Sequence, residues 1–111
     1  MRERLGIEFV RIIGTDTQPV KTIGLGLGGV GFNQINVLFN PGCDVFITGE
    51  SNEVVTEEYV RDACSFGEEK TLFIIGHYGS EYAGMRYLAE KMTETMVPTV
   101  FLRGGEVYHG I

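Results

Sequence analysis

The sequence has few of the features that would assign it to a membrane, a secretory route or nucleic acid. No apolar run approaches the roughly 20 residues of a membrane span, and Met1 to Gly6 carry acid and lack the apolar core of a signal peptide. The 9 Lys and Arg residues are scattered among 15 Asp and Glu, for a formal net charge of −6. An acidic surface without a basic stripe argues against direct nucleic-acid binding. We therefore expect a cytoplasmic protein with neither a membrane nor a nucleic-acid partner.

Cysteine is also scarce. Cys43 and Cys64 are the only two, and no CxxC or zinc-type spacing joins them. They predict reduced, partly buried thiols, which agrees with a cytoplasmic location. The 111 residues suffice for one core and are too few for two. We expect a single domain over residues 1–111.

Hydrophobic patterning predicts alternating strands and helices. Apolar and β-branched runs predict strands, and apolar residues at helical spacing predict three helices, the second capped by Ser51 or Asn52 and ended by Gly67. The strands are expected at 6–13, 20–27, 44–48, 72–75 and 99–102, and the first and third helices at 32–39 and 80–96. This order predicts an α/β sandwich: a mostly parallel sheet of about five strands covered by three helices. An apolar stripe on the last helix is expected to be core; it comprises Tyr82, Met85, Ala89, Met92 and Met96.

A glycine-rich segment follows the second strand. Gly24 to Gly29 fits G-x-G-x-x-G, Gly26 to Gly31 fits it again, and Asp44 and Glu50 lie about twenty residues downstream. Such glycines let backbone amides approach a pyrophosphate at a helix N-terminus. A string this dense also satisfies the pattern by chance, and without Gly-Lys-Ser/Thr it is no Walker loop. Nucleotide binding at residues 24–31 and a tight turn lining a cleft both stay open.

His77 and Glu81 stand four residues apart at a strand-to-helix corner. If the helix begins near Tyr78, this spacing lets the imidazole and the carboxylate converge, and these ligand types suit zinc, iron or manganese. The alternative is purely structural, because the helix dipole alone favours a first-turn carboxylate. Two ligands are also too few for a catalytic zinc site. The other histidine, His109, lies in a Gly-rich tail and is expected in a frayed terminus.

Three blocks of the sequence together resemble the Nif-three-like family, often described as GTP cyclohydrolase I type 2 homologues. They are the Gly-rich segment 23–31, Asp44-Val45-Phe46-Ile47-Thr48-Gly49-Glu50, and Gly76-His77-Tyr78-Gly79-Ser80-Glu81. The resemblance implies two related α/β halves with a dinuclear metal site between them. It implies that His77 and Glu81 are metal ligands and that Glu50, Gly28 and Gly29 line the cleft.

The resemblance covers only the C-terminal half of that family's fold. The family's other ligands, an adjacent histidine pair and an aspartate, belong to an N-terminal half that nothing here matches. The resemblance therefore implies a homo-oligomer or a longer protein, in which another chain or the missing half completes the site. Three hypotheses stay open: a hydrolase-like metal protein acting on an unidentified small molecule, a non-catalytic interaction domain, and nucleotide binding at the glycine turn.

Overall fold

The computed structural model describes residues 2–15, 17–31, 33–40 and 42–108. His109 and Phe32, where the first predicted helix was expected to begin, lie outside the described residues. The helices are α1 (Arg2–Leu5), α2 (Asn33–Phe39), α3 (Glu58–Ser65) and α4 (His77–Glu94), and a π-helical turn, Glu53–Glu57, leads into α3. The strands are β1 (Arg11–Gly14), β2 (Ile23–Gly26), β3 (Val45–Thr48) and β4 (Thr71–Ile74).

The four strands form one sheet in the order β1-β4-β3-β2. β3 runs parallel to both β2 and β4, and its Ile47 pairs with Leu25 on one side and Phe73 on the other. β1 is antiparallel to β4 and is one of the two edge strands, β2 being the other. Because β2, β3 and β4 point the same way, the segments that follow them emerge at one end of the sheet.

The prediction of an α/β fold is confirmed, whereas its element count is slightly wrong. The described residues form four strands instead of about five, and four helices instead of three. Residues 99–102 are not a strand, because this segment lies against α4, where Phe101 packs edge-on against Tyr82 with ring centroids 5.2 Å apart. The predicted first strand is also shortened, since the chain turns through Gly6 at φ 67° before β1 begins.

The core fills the face of the sheet that α2 and α3 cover. Its buried members come from both helices, from β3 and β4, and from the loop before β3: Leu38, Cys43, Phe46, Val60, Leu72 and Ile74. A Cβ atom at Gly24 or Gly26 would lie 2.5 Å or 2.7 Å from the Phe46 ring. The alternate glycines of β2 therefore make room for an aromatic side chain of the core, which explains much of the glycine string by packing alone.

The opposite face of the sheet is largely uncovered. Leu25 is 66% exposed and Ile23 55% exposed on this face of β2. The expectation that the apolar stripe is core is wrong within this chain, because Met85 and Met92 of α4 are exposed, as is Met96 just past the end of the helix; Tyr82 and Ala89 are half-buried. The helix is 18 residues long and extends past the short strands, so its far half has no sheet beneath it. We name this exposed apolar surface the open face; it comprises Ile23 and Leu25 of β2 and Met85 and Met92 of α4.

Two further expectations can be compared with the structure. In the part of the chain described, none of the helices has the length and apolar character needed to cross a bilayer. Cys43 and Cys64 are free thiols. Each thiol points to a backbone carbonyl, Cys43 to Val45 and Cys64 to Lys70, both at 3.3 Å.

Replacing Gly26 with Ala should destabilise the protein without involving any ligand. The new methyl group must displace the Phe46 ring or the Val30 side chain, and overpacking of this kind costs about 1–3 kcal/mol. Urea unfolding would measure the change, with Leu25→Ala on the exposed face of the same strand as the control. Equal unfolding free energies for wild type and Gly26→Ala would contradict the packing explanation.

Candidate functional site

The parallel strands bring three sequence blocks to one edge of the sheet. Gly28 and Gly29 follow β2, Glu50 follows β3, and His77 opens α4 after β4. Backbone hydrogen bonds continue past the strand ends, because Glu50 N–H donates to the Gly28 carbonyl at 3.1 Å. The edge at the carboxyl ends of parallel strands is where open α/β sheets commonly bind ligands.

The His77 imidazole lies between two carboxylates. Its Nδ1 is 2.8 Å from Glu50 Oε1, and its Nε2 is 3.1 Å from Glu81 Oε2. The helix supplies the second contact, because residues four apart stand on one face. The first contact joins residues 27 apart in sequence. We name Glu50, His77 and Glu81 the carboxylate–histidine cluster.

The cluster favours the charged form of the histidine. The hydrogen bond to Glu50 is the largest cause that raises the pKa of His77 above its ordinary value of 6.5, and the charge of Glu81 adds to it. When the ring is neutral, a proton on Nδ1 is held by Glu50 and the Nε2 lone pair faces Glu81. In the tautomer with its proton on Nδ1, Glu50 therefore fixes the orientation of the ring.

The glycine turn covers one side of the cluster, and we name its residues Gly28 and Gly29 the glycine roof. A Cβ atom at Gly28 would overlap Glu81 Oε1 at 2.1 Å, and one at Gly29 would lie 3.1 Å from Glu50 Oε2. Gly28 also has φ 66°, a conformation that glycine adopts without strain. Side chains at these positions would therefore push the carboxylates away from the imidazole. The structure brings all five residues expected at the site into one small region.

Ser80 connects the roof to helix α4. Its hydroxyl accepts a hydrogen bond from Gly28 N–H at 2.9 Å and donates one to the His77 carbonyl at 2.8 Å. Ser80 is buried, and a Cβ at Gly49 would lie 2.5 Å from its oxygen. Sequence reasoning did not single out Ser80, although it lies inside the quoted His77–Glu81 block.

Two buried polar side chains, Gln34 and Thr48, donate hydrogen bonds to the backbone carbonyl of Glu50. Gln34 Nε2 donates to Thr48 Oγ1 at 2.8 Å and to the Glu50 carbonyl at 2.7 Å. Thr48 Oγ1 donates to the same carbonyl at 2.7 Å. Both side chains are buried, so the backbone at Glu50 is fixed in a water-poor environment. Gln34 belongs to α2, and nothing in its sequence context predicts its hydrogen bond to the Glu50 carbonyl.

The cluster does not by itself enclose a metal ion. Across the described ranges, no three His, Cys, Asp or Glu side chains are grouped so that they could hold one ion. The reason is that Nδ1 and Nε2 point away from each other, so Glu50 and Glu81 lie on opposite edges of the ring. The Nε2–Oε2 separation of 3.1 Å does suit two ligands of one divalent ion, since ligands about 2.1 Å from an ion stand about 3.0 Å apart at an octahedral angle and about 3.4 Å apart at a tetrahedral one. His77 and Glu81 therefore fit a metal as a pair of ligands.

The same geometry disfavours a phosphate at the glycine turn. Gly28 N–H is already bonded to Ser80, and the carboxylates of Glu50 and Glu81 lie beside the turn, where they would repel an anion. Asp44, one of the two acids downstream of the glycines, precedes β3 at the other end of the strand. Its carboxylate accepts hydrogen bonds from the amides of Lys21 and Thr22 at 2.7 and 2.8 Å, which lower its pKa.

An apolar groove adjoins the cluster between the sheet and α4. Its volume is about 530 Å³, and Glu81 lies in its wall beside side chains of the open face. The apolar lining includes Leu25, Leu27, Ile47, Ile75 and Met85. A larger depression of about 610 Å³ lies around Tyr59, Asp44 and Lys70, and none of its lining residues belongs to the cluster.

The fold and the site define a class: an α/β domain with a carboxylate–histidine cluster under a glycine roof at the carboxyl edge of its sheet. The family model for Duf34/NIF3 (NGG1p interacting factor 3) matches residues 1–103. The chain belongs to this family. A comparison with curated proteins gives no match.

Solved structures include relatives that are longer than this chain. Two crystal structures of protein SA1388 of Staphylococcus aureus share 29% and 30% sequence identity with it, each with a TM-score of 0.58 over 84% of this chain. A Bacillus cereus protein related to NIF3 shares the fold at 20% identity, with a TM-score of 0.64 over 99% of this chain. The matched regions make up 28%, 24% and 30% of those chains, so this sequence spans less than a third of each.

The His77 pKa should respond to both carboxylates in metal-free protein. Because the folded-state pKa is raised, the charged ring contributes stability that is fully present below the unfolded value near 6.5 and is lost as pH rises through the folded pKa. NMR titration of the ring protons in the presence of a chelator should give a pKa above 6.5. Glu50→Gln should lower it most, and Glu81→Gln should lower it less. A pKa at or below 6.5 in the unsubstituted protein would contradict the observed geometry.

Proposed function

We propose that this chain is a divalent-metal-binding domain in which His77 Nε2 and the Glu81 carboxylate are ligands. The observation that carries the proposal is the placement of Glu50. A carboxylate on the Nδ1 side of a histidine whose Nε2 faces a second carboxylate is the arrangement that orients metal-ligating histidines. Zinc, iron and manganese suit this donor set of one imidazole nitrogen and carboxylate oxygens.

The residues of this chain have separate tasks in that function. Glu50 holds the Nδ1 proton, so that the Nε2 lone pair is directed towards Glu81. Gly28 and Gly29 leave the carboxylates room, and Ser80 fixes the glycine roof to the helix that carries both ligands. When bound, a divalent ion supplies Lewis acidity and an acidified water, the chemistry of metal-assisted hydrolysis. A hydrolase-like activity on a small molecule is proposed on this basis.

The site requires ligands beyond the described residues. Two ligands leave at least one further protein ligand to be supplied before a catalytic ion is held. We propose that this chain corresponds to the C-terminal half of the family's fold, and that a second copy or the remainder of a longer protein completes the site. The relatives' greater length agrees with this reading. The free thiols agree with a reducing compartment, so a cytoplasmic location is proposed.

Zinc titration of the chelator-treated protein tests the ligand assignment. His77→Ala should abolish stoichiometric zinc binding, whereas Glu50→Gln should weaken it about 10- to 100-fold by releasing the imidazole. Glu81→Gln should also weaken it, because the amide is a poorer ligand. Glu90→Gln is the matched control: it lies on the same helix and contacts Arg86 instead of the cluster. Stoichiometric zinc that survives His77→Ala would refute the assignment.

The second candidate function is a non-catalytic interaction domain, favoured by the pairing of an incomplete ligand set with a large open face. The zinc measurement separates the two. Substoichiometric zinc that leaves the thermal midpoint unchanged supports the interaction domain. Stoichiometric zinc that raises the midpoint supports the metal protein, because a ligand that binds only the native state stabilises it.

Self-association should depend on the open face. Its apolar residues adjoin Glu81 through the groove, so a symmetric pair of chains joined here would bring two clusters near each other. In sedimentation experiments the protein should form a dimer or a larger oligomer, and Leu25→Glu should shift it to monomer. Val54→Glu, an equally large change at a residue 80% exposed outside the open face, should have no effect. A monomer at every concentration tested would exclude self-association as the route to a complete site.

A further inference from the structure

Helix α4 begins without a capping group of its own. Its N-cap residue is Gly76, which has no side chain to accept a hydrogen bond from the first turn. The first turn, His77 to Ser80, also contains no Asp or Glu. A helix start normally leaves its first amides in need of acceptors, and here two cluster residues, His77 and Glu81, depend on that start.

A carboxylate from the C-terminal segment supplies the missing acceptor. Gly79 N–H donates to Glu106 Oε1 at 2.9 Å across 27 residues of sequence. Gly79 is the third residue of the helix, the position whose amide an N-cap side chain ordinarily binds. A carboxylate at this end also complements the helix dipole. Glu106 thus occupies the place of an N-cap side chain.

Two glycines make room for this contact. A Cβ atom at Gly76 would lie 3.0 Å from both Glu106 oxygens. One at Gly79 would lie 2.4 Å from Ile7 Cγ2 and 3.1 Å from Glu106 Oε1. The helix start is therefore shaped to admit a carboxylate from outside the helix, with Ile7 closing the opposite side.

The segment 97–106, which we name the C-terminal strap, reaches this point by running back along α4. Near the end of the helix, Thr93 Oγ1 lies 3.4 Å from the Thr99 carbonyl. Phe101 then packs on Tyr82, and Tyr82 contacts Tyr78 with ring centroids 5.5 Å apart. A Cβ at Gly104 would lie 3.3 Å from the Tyr78 ring. These contacts follow one another along the helix and direct Glu106 to the first turn.

We propose that Glu106 is a positioning residue. Through its hydrogen bond to Gly79 N–H it stabilises the first turn of α4, and it thereby holds the His77 and Glu81 side chains in position relative to each other. Its link to metal binding rests on the function proposed above. The contact itself does not, because it joins two groups of this chain.

Amide exchange and ring contacts in zinc-free protein test the positioning. Glu106→Ala should speed hydrogen exchange of Gly79 N–H roughly 3- to 30-fold, the range expected for loss of a cap. It should also weaken the NMR contacts between the His77 ring and the Glu81 side chain. Glu106→Gln keeps an oxygen acceptor without the charge, so its effect on both readouts should be smaller. The Leu72 amide in β4 should exchange at the same rate in every variant.

Glu90→Ala is the matched control, since it removes another exposed carboxylate of the same helix region and should leave both readouts unchanged. Unaltered Gly79 exchange in Glu106→Ala would overturn the proposal. Faster Gly79 exchange with unaltered His77–Glu81 contacts would also overturn it. Glu106 would then cap the helix without influencing the cluster. Zinc affinity is then measured separately and should fall in Glu106→Ala. Failure of the unsubstituted protein to bind zinc would show that this chain alone does not complete the proposed metal site, and it would leave the zinc-free result on Glu106 standing.

Discussion

The parallel pairing of β3 with both of its neighbours is the constraint on which the site depends. It aligns three chain segments that are far apart in sequence, so that the glycine turn, Glu50 and His77 leave the sheet at one edge. The backbone bonds from Gly49 and Glu50 to Gly26 and Gly28 extend this alignment beyond the strands. Without it, the Glu50–His77 contact would require two loops to meet by chance.

Electrostatics then decides which kind of ligand this edge can accept. A glycine turn at a strand end could receive a phosphate, but here Gly28 N–H is bonded to Ser80 and the turn faces two carboxylates. A proton on His77, whose pKa these carboxylates raise, offsets one of their two negative charges. A divalent cation can replace that proton, whereas an anion would add to the negative charge. The charge of this edge therefore favours a cation over an anion.

Local sequence predicted much of the fold and two of the three residues of the cluster. The buried runs of β3 and β4 are apolar and flanked by turn residues, and the i,i+4 spacing at His77 and Glu81 is a property of any helix that contains both. Glu50 was placed near the cleft only by the family resemblance, since no spacing rule connects positions 27 apart. Gln34 and Ser80 were missed because each acts through a tertiary hydrogen bond.

The wrong predictions share a physical cause, which is that the α4 region lacks a partner surface. Residues 99–102 have strand-like composition, and the Met-rich stripe has core-like spacing. Both expectations assume that apolar segments pack against the sheet. The strap instead packs on Tyr82 of α4 and leaves Met85 and Met92 exposed. The apolar groove beside Glu81 continues this open face. The carboxylate–histidine cluster and the uncovered apolar surface thus border each other, so any chain that covered this surface would also lie beside Glu81.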